Sequence, residues 1–214
     1  MTVAVLILNW AEDEEALIET HHCLRIRKLC SSDRSEIVVT PKMEAVFIAI
    51  APAPTRRVMT VLLETGLRIG DACRLSRSHV QPTPAGRRLS IRTAKRKRIA
   101  TIPATTPMAG VLDDAPEGRP LTLVTEGGRP FTRQRMSRHL KWSMRKAGRP
   151  DHVKPMDTHG AAAKRLLMAG PKLSQIAAHM GWSLRYAAGA IEHNTAVVPE
   201  MADEILVTLE MARR

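Results

Sequence analysis

The sequence predicts an α+β domain that is mostly helical and carries a small antiparallel sheet. Apolar residues recur with helical spacing over residues 55–64, 132–147 and 161–169. Residues 89–93 and 98–102 instead alternate apolar and polar side chains on either side of a basic turn, as two paired strands do. A chain of 214 residues is long enough to bury one core, with room for a small appendage.

The other elements follow from local signals. An acidic helix is predicted at 11–30 and a polar linker at 31–36. A helix at 41–50 should end at Ala51-Pro52-Ala53-Pro54, and a turn is expected at 81–86. The remaining predictions, in chain order, are helical continuation at 69–75, a short helix at 107–112, a short strand at 121–124, the end of a basic helix at Gly148, a helix at 174–180 and a final amphipathic helix at 199–211.

Positive charge is concentrated in one block of the chain. The formal net charge is +12, but residues 51–191 hold 26 basic and 8 acidic residues, while residues 1–50 hold 5 and 8 and residues 192–214 hold 2 and 5. This asymmetry indicates a polyanionic partner. Aromatic residues make up only 3%, which disfavours base-stacking platforms and favours binding to the backbone of duplex DNA.

Several other classes of protein are disfavoured. The three cysteines form no CxxC pair, which favours a reducing, cytoplasmic compartment, and His21-His22-Cys23 with Cys30 matches no common zinc spacing. No metal and no cofactor is therefore expected. The apolar run at 3–8 lacks a basic lead, and no run is long enough to span a membrane.

The most informative segment is Leu63-Glu64-Thr65-Gly66-Leu67-Arg68-Ile69-Gly70-Asp71-Ala72-Cys73-Arg74-Leu75. It places an arginine in an apolar pattern, and an unpaired buried guanidinium is costly. Asp71, about one helical turn away, is expected to hold the Arg68 guanidinium and leave some of its donors free. A guanidinium held in this way suits a phosphate oxygen. The alternative is an Arg68–Asp71 pair with a purely structural role.

This segment resembles the first active-site box of the tyrosine recombinases, the phage-integrase family. Later segments resemble the same family in the same order: 123–125, 128–132, 147–148 and 168–182. The resemblance implies the DNA breaking-rejoining catalytic-domain fold, with a tyrosine nucleophile, two arginines on the phosphate and a lysine that protonates the leaving oxygen. It assigns the first arginine to Arg68 and the lysine, counted back from Pro103, to Lys95. A solvated basic turn is the alternative for Lys95.

Backbone contacts to DNA are expected from the basic turn and from the basic helix, which contains no acid. The candidates are Lys95, Arg96, Lys97, Arg98, Arg133, Arg135, Arg138 and Lys141, with Arg145 on the same helix.

The second active-site box matches the family only in its later part. Trp182, after Met180-Gly181, occupies the position of the family's histidine or tryptophan. Counting back from Gly170 places Met156 at the expected histidine and His159 at the expected second arginine. If His159 instead begins the box, the arginine position falls on Ala162. Both alignments lack the second arginine.

The nucleophile is also missing from its expected place. The family spacing puts it at Ile191, with Glu192 next. Tyr186 is the single tyrosine of the chain and lies only four residues after Trp182, so a half-buried packing role is favoured over a displaced nucleophile. The candidate catalytic set is therefore Arg68, Lys95, His159, Trp182 and Tyr186.

These observations predict a DNA-binding member of the family with impaired catalysis. The predicted divisions are an acidic N-terminal segment at 1–40, an integrase-like domain at 41–198 and a C-terminal helix at 199–214. A bacterial or phage-encoded protein of the cytoplasm, associated with the nucleoid, is expected. Its partners would be duplex DNA and either an intact recombinase or a second copy bound through the C-terminal helix. The alternatives are a helix-turn-helix regulator, in which residues 173–183 would supply the first helix and turn, and an active recombinase that uses Tyr186.

Overall fold

A computed structural model describes residues 2–14, 17–21, 23, 34, 37, 39–115 and 122–195. The chain divides into two compact units, residues 1–33 and residues 34–214. The first unit contains helix α1 (Thr2–Asp13). The helix predicted at 11–30 is therefore wrong at residues 17–21, which are not helical, while residues 11–13 are the end of α1.

The helices of the second unit pack around a small sheet. Those that the structure describes are α2 (Pro41–Ile50), α3 (Ala53–Thr65), α4 (Ile69–Ala72), α5 (Thr106–Asp113), α6 (Arg133–Lys146), α7 (Thr158–Met168), α8 (Leu173–Met180) and α9 (Leu184–Thr195). The strands are β1 (Val80–Thr83), β2 (Gly86–Arg92) and β3 (Ile99–Pro103), which pair antiparallel in the order β1-β2-β3. The predicted fold class is confirmed. The final helix predicted at 199–211 lies outside the described residues.

Capping residues explain why the predicted helices begin and end close to where the structure places them. Thr40 precedes α2 and accepts a hydrogen bond from the Met43 amide, while Thr132 does the same for Arg135 at the start of α6. Gly66 and Gly181 end α3 and α8 in the left-handed conformation, with φ of 62° and 61°.

The sheet buries one face and has an edge strand that the sequence did not reveal. Leu89 pairs with Ile102 and Ile91 pairs with Ala100, and all four side chains are buried. Strand β1 overlaps the first half of the turn predicted at 81–86, and its place at the edge of the sheet tolerates Pro82. The strand predicted at 121–124 is only a single bridge between Val124 and Pro130 among the described residues.

Two apolar clusters hold the second unit together. The larger joins α3, β2, β3 and α6 through residues such as Leu62, Ile91 and Leu140. The smaller joins α7, α8 and α9 around Trp182 and Met180. The Met180 side chain also lies against Gly66, where an added Cβ would meet its sulfur at 2.8 Å. None of the described helices combines the length and apolar character needed to cross a membrane.

Candidate nucleic-acid interface

Arg68 lies at the junction between α3 and α4. Thr65 and Gly66 end α3, and the Thr65 hydroxyl accepts a hydrogen bond from the Leu67 amide at 3.1 Å. Arg68 then caps α4 with extended backbone angles, φ −71° and ψ 151°. Its side chain is partly exposed, and burial is the main cause that lowers the pKa of its guanidinium. In the described part of the chain it makes no hydrogen bond or ion pair.

The expected Arg68–Asp71 pair is wrong. The buried Asp71 carboxylate instead accepts a hydrogen bond from Arg74 at 2.5 Å and another from the Ala94 amide at 2.8 Å. The reason is geometric: Arg68 precedes the first helical residue, so it does not share a helix face with Asp71, whereas Arg74 follows Asp71 by three residues. Asp71 therefore ties the first active-site segment to the β2–β3 turn.

The β2–β3 turn carries four consecutive cations on a fixed backbone. The Thr93 amide donates to the Arg98 carbonyl at 2.8 Å, and the Lys97 amide donates to the Thr93 carbonyl at 3.0 Å. Lys97 adopts a left-handed φ of 55°. Lys95, Lys97 and Arg98 are exposed, whereas Arg96 is partly buried.

Arg68 and Lys95 line the same cavity, of about 800 Å³. We call it the cationic cavity and define it by its five basic side chains, Arg68, Lys95, Arg133, Lys141 and Lys154, with His159 and Met156 also on its wall. Asp71 is the one acid on the described lining, and its carboxylate is already bound. Lys154 was missed by the sequence reasoning, since nothing in the local pattern distinguishes it from a solvated lysine.

His159 is the second residue of α7 and stands between this cavity and a neighbouring one. Its Nδ1 donates to the Gly66 carbonyl, which leaves Nε2 as the bare nitrogen of the neutral ring. Nε2 is buried and has no hydrogen-bond partner among the described residues. Burial is the main cause that lowers the pKa of His159 to about 4, and the charges of Arg68, Arg96 and Lys95 add to the effect. The ring is thus neutral at pH 7, and its buried Nε2 is an acceptor.

Trp182 and Tyr186 line the neighbouring cavity, of about 600 Å³, together with His159. The Trp182 ring meets His159 edge to face at 5.8 Å between centroids and meets Tyr186 in the same manner at 5.0 Å. The indole Nε1 of Trp182 is buried without a partner in the described structure. Tyr186 is 41% exposed, and the Arg96 guanidinium carbon lies 3.5 Å from the centroid of its ring.

The positions at which the family pattern fails have other roles in the fold. Ile191 is partly buried against the cluster around Trp182, and Glu192 is exposed. Ala162 is buried, and its Cβ lies 3.2 Å from where a Cβ on Gly66 would be. This packing leaves no space for an arginine side chain at 162, and Met156 is 61% exposed. Both alignments of the second box stay predictions.

The predicted cations of α6 line more than one cavity. Arg133 and Lys141, eight residues apart, lie on the cationic cavity and share a cavity of about 490 Å³ with Arg138. Arg138 and Arg135 line a further cavity of about 540 Å³ with Phe131 and Trp142. The structure thus brings together Arg68, Lys95, Arg133 and Lys141 and connects them, through His159, to Trp182 and Tyr186.

Comparisons with known proteins identify the family and the fold. The family model described as "Phage integrase family" matches residues 21–187. A search of curated protein sequences found no match.

Several solved structures have the same fold. A lambda integrase dimer bound to a COC' core site matches with a TM-score of 0.67 and 19% identity, over 87% of this chain and 55% of that chain. XerA recombinase matches with a TM-score of 0.62 and 18% identity, over 94% of this chain and 81% of that one. The lambda integrase catalytic core matches with a TM-score of 0.58 and 17% identity, over 67% and 90%. This chain therefore spans about half the length of the lambda integrase chain in the dimer.

Proposed function

Because the chain belongs to the phage integrase family and has the tyrosine-recombinase catalytic-domain fold, we propose that it binds duplex DNA at the cationic cavity without forming a covalent bond to it. The observation that carries this proposal is the lining of that cavity. Five cations from four separate parts of the chain face one space, and its single acid is already hydrogen-bonded. Such a surface attracts phosphates and releases counterions when it binds them.

The lack of covalent chemistry is proposed from two positions. A neutral His159 whose Nδ1 donates to Gly66 offers no donor to a phosphate, whereas an arginine would offer two charged ones. Loss of such a donor removes several kcal/mol of transition-state stabilisation. Ile191 has no nucleophilic atom and packs against the Trp182 cluster, so the tyrosyl intermediate has no source at that position.

A second candidate function, strand cleavage by Tyr186, is favoured by one observation. Tyr186 and His159 line the same cavity, next to the cationic cavity. Trapping of a covalent adduct on a denaturing gel separates this candidate from the first. The helix-turn-helix alternative has less support, since Ala187 and Ile191 of α9 pack into the domain and Arg185 is the one lysine or arginine of that helix.

Binding is tested by fluorescence anisotropy with a labelled 20-base-pair duplex at about 50 and 200 mM salt. We expect affinity to fall by tenfold or more over this range, as for several neutralised phosphates. Reversal of Lys95, Arg96, Lys97 and Arg98 to glutamate together should weaken binding more than Arg68→Glu alone. Lys42→Glu is the matched control, because Lys42 is exposed on α2 and lines neither cavity that contains Arg68 or Tyr186. Absence of binding at low salt, or an equal loss with Lys42→Glu, contradicts the proposal.

Assembly is proposed on sequence grounds alone. Residues 199–214 lie outside the described structure, and we propose that they join this chain to a second copy. Light scattering tests this on the full chain and on a chain that ends at residue 198. We expect the mass of a dimer for the full chain and the mass of a monomer for the shorter one. The bacterial or phage origin and the association with the nucleoid likewise remain predictions.

A further inference from the structure

We infer that Arg96, on the β2–β3 turn, supplies the second guanidinium that α7 lacks, and that Arg68 and Arg96 together hold one phosphate. The inference rests on the proposed function, since that phosphate belongs to the bound duplex. It assigns a phosphate-binding role to a residue that the family pattern does not place in the site. His159 occupies the expected position on α7, and Arg96 is on the turn whose Lys95 lines the cationic cavity with Arg68.

The placement of Arg96 differs from that of the other cations on its turn. Its neighbours Lys95 and Lys97 are exposed, but Arg96 is partly buried and its Nε is inaccessible. That Nε has no hydrogen-bond partner within the described residues. A guanidinium nitrogen buried without an acceptor is costly, and an anion bound by the rest of the guanidinium offsets part of that cost.

Tyr186 positions the Arg96 side chain. The guanidinium carbon lies 3.5 Å from the Tyr186 centroid, which is the geometry of a cation–π contact. This contact occupies the flat face of the guanidinium and leaves its terminal N–H groups available for a ligand. Tyr186 is in turn held edge to face by Trp182 at 5.0 Å. The single tyrosine of the chain therefore acts as a support for Arg96.

Arg96 lies beside residues of both cavities. It follows Lys95, which lines the cationic cavity with Arg68, and its guanidinium lies on Tyr186, which lines the neighbouring cavity with His159. In keeping with this placement, the Arg96 charge contributes to lowering the pKa of both Arg68 and His159. Neither guanidinium is paired with a carboxylate in the described structure, because Asp71 is engaged by Arg74 and by the Ala94 amide. A phosphate bound between two unpaired cations replaces their mutual repulsion with attraction.

Three contacts fix the turn that carries Arg96. Asp71 accepts from the Ala94 amide at 2.8 Å. A Cβ on Gly181 would lie 3.1 Å from Thr93 and 3.3 Å from Ala100, so the end of α8 packs tightly against both strands of the hairpin. The same turn therefore stands between Arg68 on one side and Trp182 on the other.

The test uses the full chain and two probes, inorganic phosphate and a 20-base-pair duplex. The arginine Nε–H signals of the ¹⁵N-labelled protein are followed during titration with phosphate, with assignments from Arg68→Lys and Arg96→Lys. We expect both signals to shift with one common saturation curve. Arg96→Ala should weaken duplex binding by about tenfold or more, as for loss of charge-assisted hydrogen bonds, while Lys97→Ala, an exposed neighbour with the same charge, should weaken it less than about threefold.

Further variants distinguish bidentate hydrogen bonding by the guanidinium from the effect of its charge. Arg96→Lys keeps the charge and should still lose most of the binding, because a lysine cannot form the bidentate contact. Tyr186→Ala removes the ring beneath Arg96 and should weaken binding, and Tyr186→Phe, which keeps the ring, should recover most of the binding that Tyr186→Ala loses. Equal effects of Arg96→Ala and Lys97→Ala, or full rescue by Arg96→Lys, overturn the inference. A wild-type chain that fails to bind the duplex overturns the proposed function itself.

Discussion

His159 donates a hydrogen bond from Nδ1 to the carbonyl of Gly66, the residue that ends α3 two positions before Arg68. This contact joins the start of α7 to the first active-site segment and selects the tautomer of the imidazole. The nitrogen that remains, Nε2, is buried and has no partner in the described part of the molecule. His159, which one of the two alignments places at the second arginine, is therefore neutral at pH 7, with Nε2 as an acceptor.

The first prediction is a loss of stability in mild acid. The pKa of His159 is about 4 in the folded chain and near its ordinary value of 6.5 when unfolded, so the unfolded state takes up the proton first. The free energy of unfolding should fall as pH decreases from about 6.5 through 4, by roughly 3 kcal/mol from this group. Urea unfolding between pH 7.5 and 4 measures it.

His159→Asn serves as the control. It is needed because burial also lowers the pKa of His179, so protonation of His179 reduces the free energy of unfolding over part of the same pH range. The difference between wild type and variant isolates His159. If the two pH profiles are parallel, His159 is not the group responsible.

The second prediction concerns Asp71, whose carboxylate connects α4 to the β2–β3 turn. Removing an acid from a basic surface should strengthen DNA binding by simple electrostatics. We predict the opposite for Asp71→Ala, a loss of about threefold or more, because the turn loses the hydrogen bond at Ala94 that positions it. Anisotropy titration against a duplex measures the change.

Asp113→Ala provides the charge-matched control, since Asp113 is paired with Arg87 at 2.7 Å and does not line the cationic cavity. Tighter binding by both variants would show that Asp71 acts by charge alone.

The Asp71 contact also shows what could be predicted from the sequence. The bounds of α2 and α6 were predicted closely, because helical spacing and the breaks at Pro52 and Gly148 are local signals, and in the structure Thr40 and Thr132 cap the two helices. The predicted Arg68–Asp71 pair was wrong, because the prediction assumed helical geometry for Arg68. The structure places Arg68 before α4 with an extended backbone.

The inward position of Arg96 could not be predicted either. It depends on a turn in which Lys97 takes a φ of 55°, and on contacts between β3 and α8 that are distant in sequence. Composition identified the basic turn, but tertiary packing decides which of its side chains enters the site.

The third prediction is that Gly66→Ala destabilises the domain by about 2 kcal/mol or more. The φ of 62° strains any side chain, and the new Cβ would meet the Met180 sulfur at 2.8 Å. Thermal unfolding measures the effect. Gly110→Ala is the control, since its Cβ meets nothing within 4 Å in α5, and it should be neutral or stabilising by about 0.5 kcal/mol. Equal stability of the two variants would contradict the close packing of Gly66.

The fourth prediction is that Arg149→Met stabilises the protein. Arg149 is 6% exposed, and all three of its guanidinium nitrogens are buried without a hydrogen-bond partner in the described structure. Burial lowers the pKa of its guanidinium. An apolar side chain of similar length avoids the desolvation penalty, so a gain of about 1 kcal/mol is expected from urea unfolding. Arg145→Met, at an exposed position of α6, should change stability by less than about 0.5 kcal/mol. A loss of stability in Arg149→Met would indicate that the guanidinium has a favourable partner.

The most direct measurement of the central claim, that DNA is bound without a covalent bond, is a trap for cleaved strands. Nicked duplexes of randomised sequence lose a short fragment after cleavage and so retain any phosphotyrosyl adduct, which a denaturing gel separates from free protein. A parallel mobility shift in the same samples verifies that the protein is bound. The account predicts a shifted complex on the native gel and no adduct on the denaturing gel, because Ile191 occupies the nucleophile position and His159 offers no donor. An adduct formed by the wild type and lost in Tyr186→Phe would contradict it.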